Sequence, residues 1–155
     1  MKTYFSDELL PTDFDGSVFL AGPTPRDRAL KSWRPMAVEM LTFGGTFKKC
    51  FIPERKDWKV GFDYIDQVEW ELEALEKCSV ILFWVPRDIK TMPAFTTNVE
   101  FGMFVRDSRS VYGRPPNAEN CRYLDYVYKK FRGLRPAVNL QILVSSAENT
   151  MVNSC

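Results

Sequence analysis

Residues 79–86, SVILFWVP, form the most continuous apolar run of the chain, and the run ends on a proline. A run of this length with no polar alternation is the mark of a strand covered on both faces, as in the middle of a parallel sheet. Working outward, the preceding stretch DYIDQVEWELEALEKC (63–78) has Ile65, Val68, Leu72 and Leu75 at helical spacing and predicts a helix with one core stripe. On that wheel Trp70 falls on the exposed side, where it would mark a subunit contact. Glu71 and Glu76 lie on the shoulders of the stripe, Glu69 further out, and Glu73 points away.

The same alternation extends in both directions. SVFLA (17–21) predicts a buried strand ending at Gly22, then a loop, GPTPRDRALK, and a helix over about 33–42 with Ser32 as N-cap and Pro35 in its first turn. TFKKCFIP (46–53) predicts a strand ending at Pro53. After the central strand a loop precedes a helix beginning at Thr97, and SVYG (110–113) reads as another strand. AENCRYLDYVYKKF predicts a helix; PAVNLQILVSSAENTM predicts a last one, with a strand at 138–144 as the alternative. Alternating strands and helices around an apolar strand specify a doubly wound parallel α/β sheet, a flavodoxin-like three-layer sandwich, in a single domain spanning 1–155. Ligands in such folds lie beyond the carboxyl ends of the strands. GPTPR, PERKDW, PRD through FTTNVE, and GRPPN would meet there.

Composition narrows the chemistry. With 21 Lys and Arg against 20 Asp and Glu, the net charge of +1 marks neither a nucleic-acid nor a membrane-surface protein. The four cysteines, Cys50, Cys78, Cys121 and Cys155, form no C-x-x-C pair and read as reduced thiols. No apolar run is long enough for a signal core or a bilayer span, so a cytoplasmic location is expected. The chain has no histidine. That removes His-based triads and the usual zinc sites, and neither a metal nor a cofactor is expected. Acid–base work falls to Asp, Glu, Lys, Tyr or Cys.

The candidate reactive group is Glu100 in TTNVEFG (96–102). Thr97-x-x-Glu100 matches a capping box, and on spacing alone the cap is the commoner outcome. The functional reading uses the same geometry: a carboxylate kept ionised at a helix mouth and pointing into a cleft can attack a sugar carbon. Gly102 would let backbone or ligand come close. GPTPR is neither a Walker nor a Rossmann loop, because its prolines remove N–H groups a phosphate would need. Arg26 could meet a carboxylate or phosphate, and Thr24 could cap a turn. Trp33, Trp58 and Trp84 could stack a base, although Trp84, inside a strand, reads more simply as core.

Taken in order, VFLAGPTP, WELEALEKCSVILFWVP, TTNVEFG and GRPPN resemble the nucleoside 2-deoxyribosyltransferase family, particularly its phage and bacterial branch, over about 17–125. The resemblance implies an α/β homodimer or higher homo-oligomer with shared active sites, acting on a small nucleoside or nucleotide and not on nucleic acid or membrane. It implies that Glu100 takes the sugar as a covalent intermediate and that Glu71, where the family usually has aspartate, handles the proton of the leaving base. By the same resemblance Gly22, Pro23 and Thr24 grip sugar and base, and Asn117 reaches the sugar across a subunit boundary. PAFTTN stands where the family usually has an aspartate shortly before the nucleophile, and Thr96 or Thr97 would replace its hydrogen bonds but not its charge. Three functions follow: transfer of 2-deoxyribose between bases; hydrolysis of a nucleoside 5′-monophosphate, with Arg26, Arg34 and Arg114 as phosphate partners; and a non-catalytic nucleotide sensor in which Glu100 is only a cap.

Overall fold

The structure, a computed structural model, describes residues 1–26, 29–56 and 63–153. Trp58, the end of PERKDW and Cys155 lie outside the described residues. Five strands form one parallel sheet: β1 (Lys2–Phe5), β2 (Ser17–Ala21), β3 (Lys49–Ile52), β4 (Val80–Trp84) and β5 (Ser110–Gly113), in the order β1-β3-β2-β4-β5. The helices are α1 (Arg34–Gly44), α2 (Tyr64–Lys77), α3 (Phe95–Phe104), α4 (Arg122–Arg132) and α5 (Leu140–Asn153).

Strand parity builds the three layers. Ile81 and Phe83 of β4 join Phe19, Phe51 and Tyr112 under α2, α3 and α4. Val80, Leu82 and Trp84 join Val18, Leu20 and Cys50 under α1 and α5. Every β4 residue is buried, so the run at 79–86 is apolar because each successive side chain meets a different helical layer. Each such large side chain contributes roughly 1.5–3 kcal/mol of burial. The chain passes from β2 to β3 on one side, then to β4 on the other. The topological switch therefore falls between the carboxyl ends of β2 and β4.

Several expectations shift. β1 was not anticipated: KTYF is short, lies at the sheet edge and buries only Tyr4 of its four residues. The stripe Ile65, Val68, Leu72, Leu75 is only partly the buried face of α2: Leu75 is fully buried, Val68 and Leu72 are half-buried, and Trp70 and Ala74 complete the buried face. Ile65 is 58% exposed, whereas Trp70 is 7% exposed and packs on Phe19 and Phe51, its Nε1 donating to the Glu8 carbonyl at 2.8 Å. The N-terminal segment covers that face, a long-range contact that helical spacing cannot show. Trp70 is therefore core, not a subunit contact.

Ser32 lies one residue before the cap position, which Trp33 occupies without a side-chain capping bond; the Ser32 hydroxyl accepts from the Arg34 N–H and donates to Glu54. At the C-terminus the helical alternative holds. Leu140, Leu143, Val144 and Ala147 recur at helical spacing against the sheet. Cys50, Cys78 and Cys121 are buried free thiols, each pushed up by burial. Among the described residues no helix is long and apolar enough to cross a membrane.

Candidate active site

Gly22 ends β2 where two pieces of the core meet. A Cβ there would lie 2.1 Å from the Trp84 carbonyl oxygen and 2.8 Å from the Trp33 ring, and its φ of +152° is one that side-chain-bearing residues rarely adopt. Only glycine fits against this backbone. Gly22→Ala is expected to lower stability by about 1–3 kcal/mol through overpacking, read as a lower urea midpoint with unchanged slope.

The loop after Gly22 is assembled on a buried guanidinium. Pro23 and Pro25 have no N–H to donate, and the loop carbonyls turn to Arg34 in the first turn of α1. Arg34 is 1% exposed and donates from Nε to the Leu20 carbonyl at 3.1 Å and from Nη2 to the Gly22 carbonyl at 2.5 Å. Its Nη1 donates to Thr24 Oγ1 at 3.0 Å and pairs with Glu54 at 2.6 Å. Trp33 Nε1 closes the loop on the Pro23 carbonyl at 3.1 Å. The five-donor fork of arginine suits acceptors arriving from several directions, which a lysine cannot serve together.

Across the switch point, the loop after β4 is folded around Asp88. One carboxylate oxygen of Asp88 accepts from the N–H groups of Lys90 and Thr91 and from the Thr91 hydroxyl. The Arg26 N–H donates to the Thr91 carbonyl at 2.9 Å, tying the two loops together. Ala94, at φ 60° and ψ 39°, then turns the chain into α3.

Helix α3 begins at Phe95, two residues before the start that Thr97-x-x-Glu100 predicts. Thr97 and Glu100 are therefore inside the helix, with no capping bond formed, and the capping-box reading is overturned. Both are buried. Glu100 instead forms the wall of a cavity of about 240 Å³ between the β2 and β4 loops. Gly22, Pro23, Thr24 and Arg26 line one side, Pro93 to Thr97 the other, and Glu71 and Gln67 of α2 face them. The cavity thus opens where the sheet topology places a ligand.

The sequence model of nucleoside 2-deoxyribosyltransferase-like proteins matches residues 15–118, from the start of β2 to the loop after β5. The chain belongs to the nucleoside 2-deoxyribosyltransferase-like family. No match was found among curated proteins.

In this nucleoside 2-deoxyribosyltransferase-like protein the cavity holds a carboxyl pair. Glu71 and Glu100 are in hydrogen-bond contact. Burial, then the Glu71 charge, push Glu100 up to about 8, opposed by Arg34. Burial also raises Glu71, opposed by a hydrogen bond from Gln67 and by Arg34. Two carboxyls this close in a low-dielectric wall cannot both ionise readily; the hydrogen bond between them raises Glu100 and lowers Glu71, so around neutrality the pair's proton rests on Glu100 and Glu71 accepts it. This corrects the expectation of a Glu100 held anionic by a helix mouth: its place inside α3 and its burial outweigh the dipole.

Of the residues singled out from sequence, Gly22, Pro23, Thr24, Arg26, Arg34, Glu71, Thr96, Thr97 and Glu100 surround this cavity. Others do not. Trp84 is buried in β4 and faces the α1 and α5 layer; only its backbone oxygen approaches Gly22. Asn117 is exposed on the loop after β5 and does not line its own chain's cavity, and a reach across a subunit boundary does not require it to. A Cβ on Gly102 would meet nothing within 4 Å, so no close approach requires that glycine. Arg114 pairs with Asp125 at 2.7 Å instead of facing the cavity. Gln67 and Glu54 were missed altogether, and Arg34 was noted only as a phosphate partner. Gln67, one helical turn before Glu71, was the one with a readable signal.

Proposed function

We propose that the protein cleaves the N-glycosidic bond of a deoxynucleoside through a glycosyl ester on Glu100 and passes the sugar to a second base. The observation that carries this is a buried carboxyl pair, Glu71 and Glu100, in the wall of the cavity at the sheet's switch point. Retaining sugar transfer uses two nearby carboxyls, one as nucleophile and one as acid. The pair's proton first passes from Glu100 to Glu71; the Glu100 carboxylate then attacks the anomeric carbon, the carbon–nitrogen bond breaks, and the leaving nitrogen takes its electron pair and the proton now on Glu71. In the second half, nitrogen of the incoming base attacks the same carbon, its proton returns to Glu71, and Glu100 is released. Water in place of the base gives free sugar.

Gly22 and Thr24, fixed by Arg34, form a rigid floor against which a sugar can be oriented. For the hydrolase reading, Arg34 lines the cavity but is paired with Glu54, Arg114 is paired with Asp125, and Arg26 lines the cavity with its guanidinium over the Phe95 ring. A 5′-phosphate would therefore be met by Arg26. The sensor reading requires Glu100 to serve as a cap, and Glu100 makes no capping bond.

Incubating the protein with a panel of nucleosides and nucleoside 5′-monophosphates, with and without a free base, tests the proposal. Exchange of base is expected; free sugar alone would mean hydrolysis, and binding without cleavage would mean a sensor. The pH dependence follows from the shared proton. Above about 8 the pair loses it and no acid remains for the leaving base; at acid pH the second carboxyl is protonated and no nucleophile remains. A bell-shaped kcat/KM profile with its alkaline limb near 8 is expected.

A further inference from the structure

We propose that Arg55 and Gln67 form a one-way hydrogen-bond relay that assigns the Glu71 proton to Oε2, which makes Gln67 a positioning residue for release of the base. This rests on the reaction proposed above. The polarity of the relay follows from what each group can donate. Arg55 Nε donates to Gln67 Oε1 at 3.2 Å. A guanidinium has no acceptor, so the amide must present its oxygen to Arg55 and its NH2 the other way. On that side Gln67 Nε2 donates to Glu71 Oε1 at 2.8 Å. An amide NH2 cannot accept, so Oε1 is an acceptor here; because a carbonyl oxygen accepts more strongly than a carboxylic hydroxyl, this bond favours Oε2 for any proton on this carboxyl. Oε2 is then the oxygen left for Glu100 and the leaving nitrogen.

A Gln–Glu pair one turn apart on an exposed helix would be only a weak local contact. This pair differs, because Gln67 and Glu71 both line the cavity and Glu71 touches Glu100. Among the described residues, the charged groups acting on Glu71 are Glu100 from α3 and Arg34 from α1, with Arg55 acting through the amide. The Gln67 bond favours the ionised form of Glu71 and so opposes the effect of burial. Without it Glu71 holds its proton more tightly and on either oxygen.

The test compares wild type with Gln67→Met, which keeps the length and cannot donate, Gln67→Glu, which can bind Arg55 but when ionised cannot donate, and Arg55→Met, which frees the amide to flip. Two substrates are used: a deoxynucleoside, and a nitrophenyl 2-deoxyriboside whose aglycone leaves as a stable anion needing no proton. For each variant kcat/KM is expected to fall about tenfold more on the deoxynucleoside than on the aryl glycoside, the size of one hydrogen bond to a charged group. The alkaline limb should move to higher pH, and Gln67→Met/Arg55→Met should be no worse than Gln67→Met. Equal losses on both substrates, an unmoved limb, or additive effects of the two sites would overturn the relay. A readout independent of turnover is the ¹³C titration of the Glu71 carboxyl, expected to shift upward in Gln67→Met. An unshifted titration overturns the relay even in an active enzyme. A wild type that releases no base from either substrate overturns the proposed reaction, and the titration then decides the relay by itself.

Discussion

Glu100→Gln is expected to reduce base release by about four orders of magnitude, the scale of removing a covalent nucleophile, while making the folded protein more stable. The first effect follows because an amide cannot form the glycosyl ester, and no other carboxylate lies beside Glu71 in the cavity wall among the described residues. The second follows from linkage. Glu100 has a folded-state pKa of about 8 against an ordinary 4.5, so between those values the folded protein binds more protons than the unfolded chain. Stability therefore falls as pH rises through that window, and the carboxylate costs most above it. The glutamine removes that cost, with an expected gain of about 1–2 kcal/mol at pH 9, in the range seen when a strained functional group is replaced, and little gain at pH 4. Urea denaturation at both pH values, beside a base-release assay, checks the pair of effects. Retained turnover removes Glu100 from the mechanism, and a variant less stable at pH 9 contradicts the electrostatic account.

Arg34→Met is expected to lower stability by about 3–5 kcal/mol, the usual result of leaving one member of a buried ion pair without its partner. It would strand Glu54 together with the carbonyls of Leu20 and Gly22. Arg34→Lys keeps the charge, but one ammonium cannot reach acceptors on three sides, so an intermediate loss is expected. The two variants also separate scaffold from electrostatics. Arg34 draws down the pKa of both Glu71 and Glu100. Loss of its charge should move the alkaline limb of the rate profile to higher pH in Arg34→Met and much less in Arg34→Lys. Equal stability of wild type and Arg34→Met in urea would show that the loop after β2 is held by something other than this guanidinium.

Arg34 also shows why part of the site was closed to sequence reading. Nothing in SWR (32–34) distinguishes a surface arginine in a first helical turn from one that is 1% exposed. The distinction lies in Glu54, twenty residues away, and in loop carbonyls whose direction depends on two prolines and on the close contact of Gly22 with β4. Trp70 failed for a related reason, since the N-terminal segment that covers it lies 62 residues away in sequence. Thr97-x-x-Glu100 was the opposite case: a local pattern that matched a capping box but was overridden when the turn at Ala94 started the helix earlier.

The amino-acid order alone specified the parallel α/β sheet, the central place of 80–84, and the loops that carry the cavity, because burial on two faces and helical periodicity are written in short-range apolar spacing. It also brought Glu71 and Glu100 into view through family resemblance. Only the tertiary structure decided that these carboxyls lie buried beside one another, that burial raises both, and that Arg34 and Gln67 oppose that rise. Those properties depend on distance and dielectric between groups far apart in sequence, and such quantities exist only once the chain has closed around them.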